Sequence, residues 1–110
     1  LDCGIVINPD AAANMTQGGI INGLCHSMYG EMTFDEGAPS KDNFTNYRML
    51  RINEAPAEID VHFVKSDVDP TGLGEPPMPP TPAALANAIY QATGKRLYDQ
   101  PFNKALDEQA

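Results

Sequence analysis

Between Gly72 and Pro82 the sequence reads Gly-Leu-Gly-Glu-Pro-Pro-Met-Pro-Pro-Thr-Pro, and no regular element can run through it. Gly72 and Gly74 admit backbone angles closed to other residues. Pro76 and Pro77 have no amide to donate, and a proline drives the residue before it away from helical geometry. Glu75 therefore neither continues a strand nor begins a helix; it sits in a shaped loop. Five prolines (Pro76, Pro77, Pro79, Pro80, Pro82) narrow the unfolded ensemble, so holding one carboxylate in a fixed place costs less entropy. A fixed carboxylate is what a general base requires. By composition alone the same glutamate also reads as a solvated charge on a proline-rich connector, since charged side chains mostly face water. Both readings stand at this point.

The flanking sequence has clearer periodicity. Cys3-Gly4-Ile5-Val6-Ile7 is a short β-branched run that predicts a buried strand. Asn8-Pro9-Asp10 predicts a helix start: Asn8 as cap, Pro9 at the first position and Asp10 at the positive end of the dipole. The helical pattern runs toward Gly30, with Ile21, Leu24, Cys25 and Met28 on one stripe and Gly30 suited to a left-handed cap. Gly18 and Gly19 interrupt it at about 1 kcal/mol each relative to Ala. Either the helix proper starts near Gln17 with amides free for an anion, or the glycines admit a close backbone or ligand. Tight packing against a neighbouring strand explains them equally well.

Glu31 to Phe34 alternates and leads through the turn-rich 35–39 to a second apolar run, Asn43–Tyr47 with Met49-Leu50, which predicts a hairpin. Ile59, Val61 and Phe63 alternate with Asp60, His62 and Val64, the pattern of a half-buried strand. Thr81-Pro82 predicts the cap of a second helix whose apolar stripe is Leu85, Ala88, Ile89 and Ala92, ended by Gly94. The fold expected is α+β, a small mixed or antiparallel sheet with two main helices. It comprises one unit over 1–98 and a polar tail, 99–110, loosely held or wrapped on a partner.

Seven Lys and Arg against fifteen Asp and Glu give a net charge of −8, which disfavours a nucleic-acid partner. No stretch approaches the about 20 apolar residues of a membrane span. Cys3 and Cys25 are expected to be reduced and buried. His26 and His62 have no partners at metal-ligand spacing, so a zinc or iron site held by side chains is not expected. Arg48 and Arg51 read as solvated or ion-paired charges. The opening Leu1-Asp2-Cys3-Gly4 reads as part of a longer chain, and the compartment of that chain is not legible.

Three blocks together carry a family resemblance. Gly72-Leu73-Gly74-Glu75-Pro76-Pro77, with Pro82–Ile89 and Ala92–Arg96 behind it, resembles the end of the molybdopterin-binding large subunit of the xanthine dehydrogenase/aldehyde oxidase family. Within that family it is most similar to isoquinoline 1-oxidoreductase-type and related bacterial aldehyde dehydrogenase large subunits. Asp2–Pro9 with Gln17–Leu24 and Met28–Glu31 resembles the block that passes close to the cofactor, and Asn43–Arg48 with Arg51–Pro56 resembles a segment running toward the active-site end. The pattern departs at Met15, where family members carry glutamine.

The resemblance implies oxidative hydroxylation of an aldehyde or N-heterocycle with oxygen from water, with Glu75 as general base. It implies a molybdopterin cofactor, as the molybdenum–molybdopterin cytosine dinucleotide, contacted by Gln17, Gly18, Gly19, Gly72 and Gly74. It also implies [2Fe-2S] clusters on a partner small subunit, since only two cysteines are present here. The remainder of the large subunit would enclose the pterin, leaving this piece inactive alone. Two readings from other classes remain open. One is an interaction module offering residues 76–82 as a polyproline II ligand; the other is a hydrolase pairing Glu75 with a second carboxylate.

Overall fold

The computed structural model describes residues 1–107. Its elements in order are helix α1 (Pro9–Tyr29), strands β1 (Phe34–Asp35) and β2 (Ala38–Pro39), and helices α2 (Thr81–Thr93) and α3 (Phe102–Asp107). Both α2 and α3 pack on α1, which is the axis of the unit. The start of α1 is as the sequence dictates: Asn8 Oδ1 accepts from the Ala11 amide at 3.1 Å, Pro9 opens the first turn and Asp10 lies within it.

From Pro9 the helix runs unbroken through Gly18 and Gly19, so it does not start near Gln17 and leaves no free amides there. The face it buries is not the expected stripe. Ala12, Thr16, Gly19, Gly23 and Ser27 are buried, spaced by four, three, four and four, whereas Ile21, Leu24 and Met28 are only half-buried. Cys25 is buried on a different face, where its Sγ accepts from the Leu50 amide at 3.2 Å. Gly30 is extended (φ −65°, ψ 108°) rather than left-handed. Glycine is needed there for another reason: a Cβ would lie 2.7 Å from the His26 carbonyl oxygen.

The sheet is smaller than the alternation predicts. It is a two-stranded antiparallel hairpin, Phe34 opposite Pro39 and Asp35 opposite Ala38. Glu36 (φ 48°) and Gly37 (φ 83°) both take positive φ, the geometry a tight two-residue hairpin turn demands. The run 43–50 is not its partner strand. Asn46 Oδ1 accepts from the Asp42 and Asn43 amides, and the Asn43 carbonyl accepts from Tyr47. These local bonds satisfy the backbone as turns and outcompete a ladder.

Cys3–Ile7 is likewise not a strand, because Gly4 at φ +71° breaks the two-residue repeat; a Cβ there would sit 2.3 Å from the Asp69 carbonyl oxygen. The segment is instead pinned to residues 62–71. The Leu1 amino group donates to the His62 carbonyl, Val64 N–H to Leu1, Ile5 N–H to Val68 and Thr71 N–H to Cys3. Along 59–64 the expected alternation holds as burial, with Ile59, Val61 and Phe63 half-buried between exposed neighbours, but the segment joins no sheet.

Helix α2 starts at Thr81 with Pro80 as the capping residue and no side-chain cap, so Thr81 is the first helical residue rather than the cap. Gly94 closes α2 in the left-handed conformation (φ 73°). Leu85 and Ile89 are half-buried as expected, whereas Ala88 and Ala92 face solvent. The stretch expected to trail loosely contains α3, with Pro101 and Phe102 buried and Lys104 paired to Glu31. One buried aromatic anchors a segment that is otherwise polar. Residues 108–110 of the expected tail lie outside the described residues. Both cysteines are free and buried.

One ion-pair network ties α1 to the following loop. Glu54 accepts from the Arg48 guanidinium, from the Arg51 amide at 2.6 Å and from the Tyr29 hydroxyl at 3.3 Å, while Arg48 lies 4.0 Å above the Tyr29 ring. The Arg48 bond, then the Arg51 amide, hold the Glu54 carboxyl below its ordinary value of 4.5. A lowered folded-state pKa contributes stability that is complete above the unfolded value and is lost as pH falls through the folded one. Glu54→Gln is therefore expected to reduce the stability lost as pH falls through and below the ordinary carboxylate range, read by urea unfolding at each pH. An unchanged acid limb would show that the network contributes nothing.

Candidate functional site

The proline-rich loop is compact. The Glu75 carbonyl accepts from the Met78 amide at 2.8 Å, and the Met78 carbonyl accepts from Thr81 at 3.1 Å, so two successive turns feed directly into α2. Pro80 has ψ −17°, far from the about +145° of a polyproline II helix. Pro77 is buried. The segment is thus not an extended proline ligand, which removes the physical basis of that alternative.

This loop seats on the small-residue face of α1. A Cβ on Gly19 would lie 2.9 Å from the Gly74 carbonyl oxygen and 3.2 Å from Pro77 Cβ; one on Gly23 would lie 2.7 Å from Thr81 Cβ and 3.0 Å from the Met78 carbonyl oxygen. The hydroxyls around this contact fold back on backbone. Thr16 donates to Ala12 (2.9 Å), Ser27 to Gly23 (2.7 Å) and Thr81 to Pro77 (2.9 Å). Each buried hydroxyl is thereby satisfied without standing off the helix. Asn22 Nδ2 adds a contact to Met78 Sδ at 3.3 Å.

The expected site residues separate into three groups. Gly19, Gly74 and Glu75 come together: the Gly74 carbonyl rests on Gly19, and Glu75, the next residue, is exposed at the rim of the seat. Gly18 and Gly72 are exposed, and a Cβ on either would meet no heavy atom within 4 Å. Adjacent helical residues point about 100° apart, so Gly18 opens outward where Gly19 packs inward. Gln17 is engaged elsewhere, its Nε2 donating to the Ile59 carbonyl at 3.1 Å. Met15, Gly23, Pro77 and Thr81 build the seat without having been expected to. The spacing of Ala12, Thr16, Gly19, Gly23 and Ser27 is the signal that would have found the α1 face.

The open positions at Gly18 and Gly72, where a Cβ would meet no heavy atom within 4 Å, leave room for a bulky group. Among the described residues no three His, Cys, Asp or Glu converge as metal ligands. The side-chain-free positions at Gly18 and Gly72 fit an organic cofactor.

Residues 1–56 match the family described as molybdopterin cofactor-binding domain. The chain is 36% identical over 96% of its length to the membrane-bound aldehyde dehydrogenase [pyrroloquinoline-quinone] of Gluconacetobacter polyoxogenes, covering 14% of that protein. It is 32% identical over 96% of its length to the beta chain of isoquinoline 1-oxidoreductase of Brevundimonas diminuta, covering 13% of it. Quinoline 2-oxidoreductase from Pseudomonas putida 86 superposes with a TM-score of 0.81 at 20% identity, over 97% of this chain and 15% of that one. The α+β unit matches a molybdopterin cofactor-binding domain over residues 1–56. The chain belongs to the xanthine dehydrogenase/aldehyde oxidase family, within its molybdopterin cofactor-binding domain.

The two adjacent glycines of α1 should respond oppositely to a methyl group. Gly19→Ala must move the Gly74 backbone and is expected to destabilise by about 1–3 kcal/mol. Gly18→Ala gains helix propensity in open space and is expected to stabilise by about 0.5–1 kcal/mol. Urea unfolding of both variants reads the difference, and equal effects would refute the seat.

Proposed function

We propose that this chain contributes the general base to a molybdenum hydroxylase large subunit that oxidises an aldehyde or N-heterocycle with water as the oxygen source. The observation that carries this reading is the seat itself: the Gly74 carbonyl packed on Gly19 fixes the backbone entering Glu75, and the Met78 amide holds the backbone leaving it. A backbone so held reduces the ordering left to the side chain at the moment of reaction.

The overall change converts a substrate C–H and water to C–OH, releasing two electrons and two protons. The cofactor, when bound, supplies a two-electron acceptor held by pterin sulfurs rather than by side chains. Glu75 takes a proton from the oxygen nucleophile as it attacks the substrate carbon and later releases that proton to solvent. In this reading Gly18 and Gly72, where a Cβ would meet nothing within 4 Å, admit close approach of the cofactor, and Gly74 presents its backbone between Gly19 and Met15. Gln17 and Gly19 brace α1 there, Gln17 on the Ile59 carbonyl and Gly19 against Gly74.

The family description names molybdopterin, and this reading takes it in the cytosine dinucleotide form, with [2Fe-2S] clusters on a small subunit. Two relatives are named as single subunits of larger enzymes, an isoquinoline 1-oxidoreductase and a nicotinate dehydrogenase, which supports a multi-subunit assembly. Those names, with the aldehyde dehydrogenase, also support the substrate classes. The chain spans only 14% and 8% of the aldehyde and nicotinate dehydrogenases, and it exposes Ile7, Phe34, Phe44, Ile52 and Val68. Seating this chain against the remainder of a large subunit would remove those side chains from water.

Glu75→Gln in the full-length, cofactor-loaded enzyme is expected to lower kcat by about 10²- to 10⁴-fold with cofactor content unchanged. Steady-state turnover alongside molybdenum and pterin analysis measures both quantities. Undiminished turnover in a fully loaded variant would remove Glu75 from the mechanism.

A further inference from the structure

Gly74 is gripped from two sides. Its carbonyl oxygen rests on Gly19, while on its other side a Cβ would lie 3.2 Å from Met15 Cε. Met15 stands one turn before Gly19 on α1 and is 50% exposed, so its side chain is not drawn into the core but lies along the loop. Together with Ile7, Ala12, Thr71 and Leu73 it lines a cleft of about 180 Å³ between α1 and the strand-like approach to the loop.

Gly74 has no side chain with which to hold itself in place. Without the Met15 methyl, the residue preceding Glu75 would lose its packing on that side and gain room to move, because Met15 and the preceding Leu73 both line the cleft. The downstream side of Glu75 is already rigid, fixed by Pro76, the buried Pro77 and the turn to Met78. Met15 therefore bears on the backbone that enters Glu75 from the upstream side.

We propose that Met15 is a positioning residue for Glu75, acting through Gly74 by packing rather than by touching substrate or cofactor. This rests on the assignment of Glu75 as general base. A thioether suits the task, since its unbranched, polarisable chain fills an irregular gap beside a backbone α-carbon.

The test uses the full-length, cofactor-loaded enzyme carrying Met15→Ala, Met15→Leu, Glu75→Gln and the double substitution Met15→Ala/Glu75→Gln. Met15→Ala is expected to lower kcat by up to about 10²-fold, the effect of about 1 Å of misplacement. KM and cofactor content should not change. Met15→Leu, close in volume, should restore most of the loss. In the Glu75→Gln background Met15→Ala should add nothing, because the group it acts through is gone.

Full kcat in Met15→Ala, an equal loss in both backgrounds, or loss of bound cofactor would each overturn the positioning role while leaving the base assignment intact. Retained turnover in Glu75→Gln alone would instead defeat the base assignment, and this proposal with it. Should Met15→Ala fail to fold, Met15→Val, which keeps apolar bulk but cannot reach Gly74, carries the same comparison.

Discussion

The contact on which this unit depends is backbone against backbone: α1 presents Gly19 and Gly23 to the carbonyls of Gly74 and Met78. Dispersion falls steeply with separation, so removing two side chains from a helix face gains contact along the loop it meets. That gain has to offset the helix propensity surrendered at both glycines, roughly 1 kcal/mol apiece. It does so by fixing a loop whose prolines have already restricted it.

The rest of the chain braces this contact from outside. Residues 1–5 are tied to 62–71 by four backbone hydrogen bonds, which carry the chain to the threshold of the loop. Gln17 holds α1 to the carbonyl of Ile59. At the other end of the helix Arg48, Tyr29 and Glu54 interlock, and Lys104 of α3 reaches Glu31. The buried apolar side chains, Cys3, Ala12, Cys25 and Phe102, are modest. Order in this unit comes less from a large core than from close backbone packing and locally satisfied polar groups.

For the proposed chemistry, that distribution of rigidity matters more than its total. A general base gains rate when the protein has fixed its geometry before substrate arrives, since reorganisation during the reaction is then avoided. Here the prolines, the turn to Met78 and the seat on α1 all act within a few residues of Glu75, whereas the carboxylate end is left exposed. Gly18 and Gly72 leave adjacent space open. In the proposed function this arrangement would form one wall of a cavity completed by other polypeptide.

Much was settled by local chemistry alone. Asn8-Pro9-Asp10 starts α1 because a side-chain acceptor, a fixed φ and a negative charge each satisfy the first turn without help from afar. Gly94 ends α2 because only an αL-tolerant residue closes it cheaply, and the prolines forbid any regular element at Glu75. The family was legible because its motifs lie in order along nearly the whole chain. What the sequence did not decide is which partner each pattern would find. Cys3–Ile7 and 43–50 have strand composition, yet Gly4 and the Asn43–Asn46 bonds satisfy them as pinned segments and turns. Ile21 and Leu24 mark an apolar stripe, yet α1 buries its small residues instead. Hydrophobic period reports the area that could be buried; how closely two backbones can approach depends on the surface opposite, and only the tertiary structure brings Gly19 under Gly74.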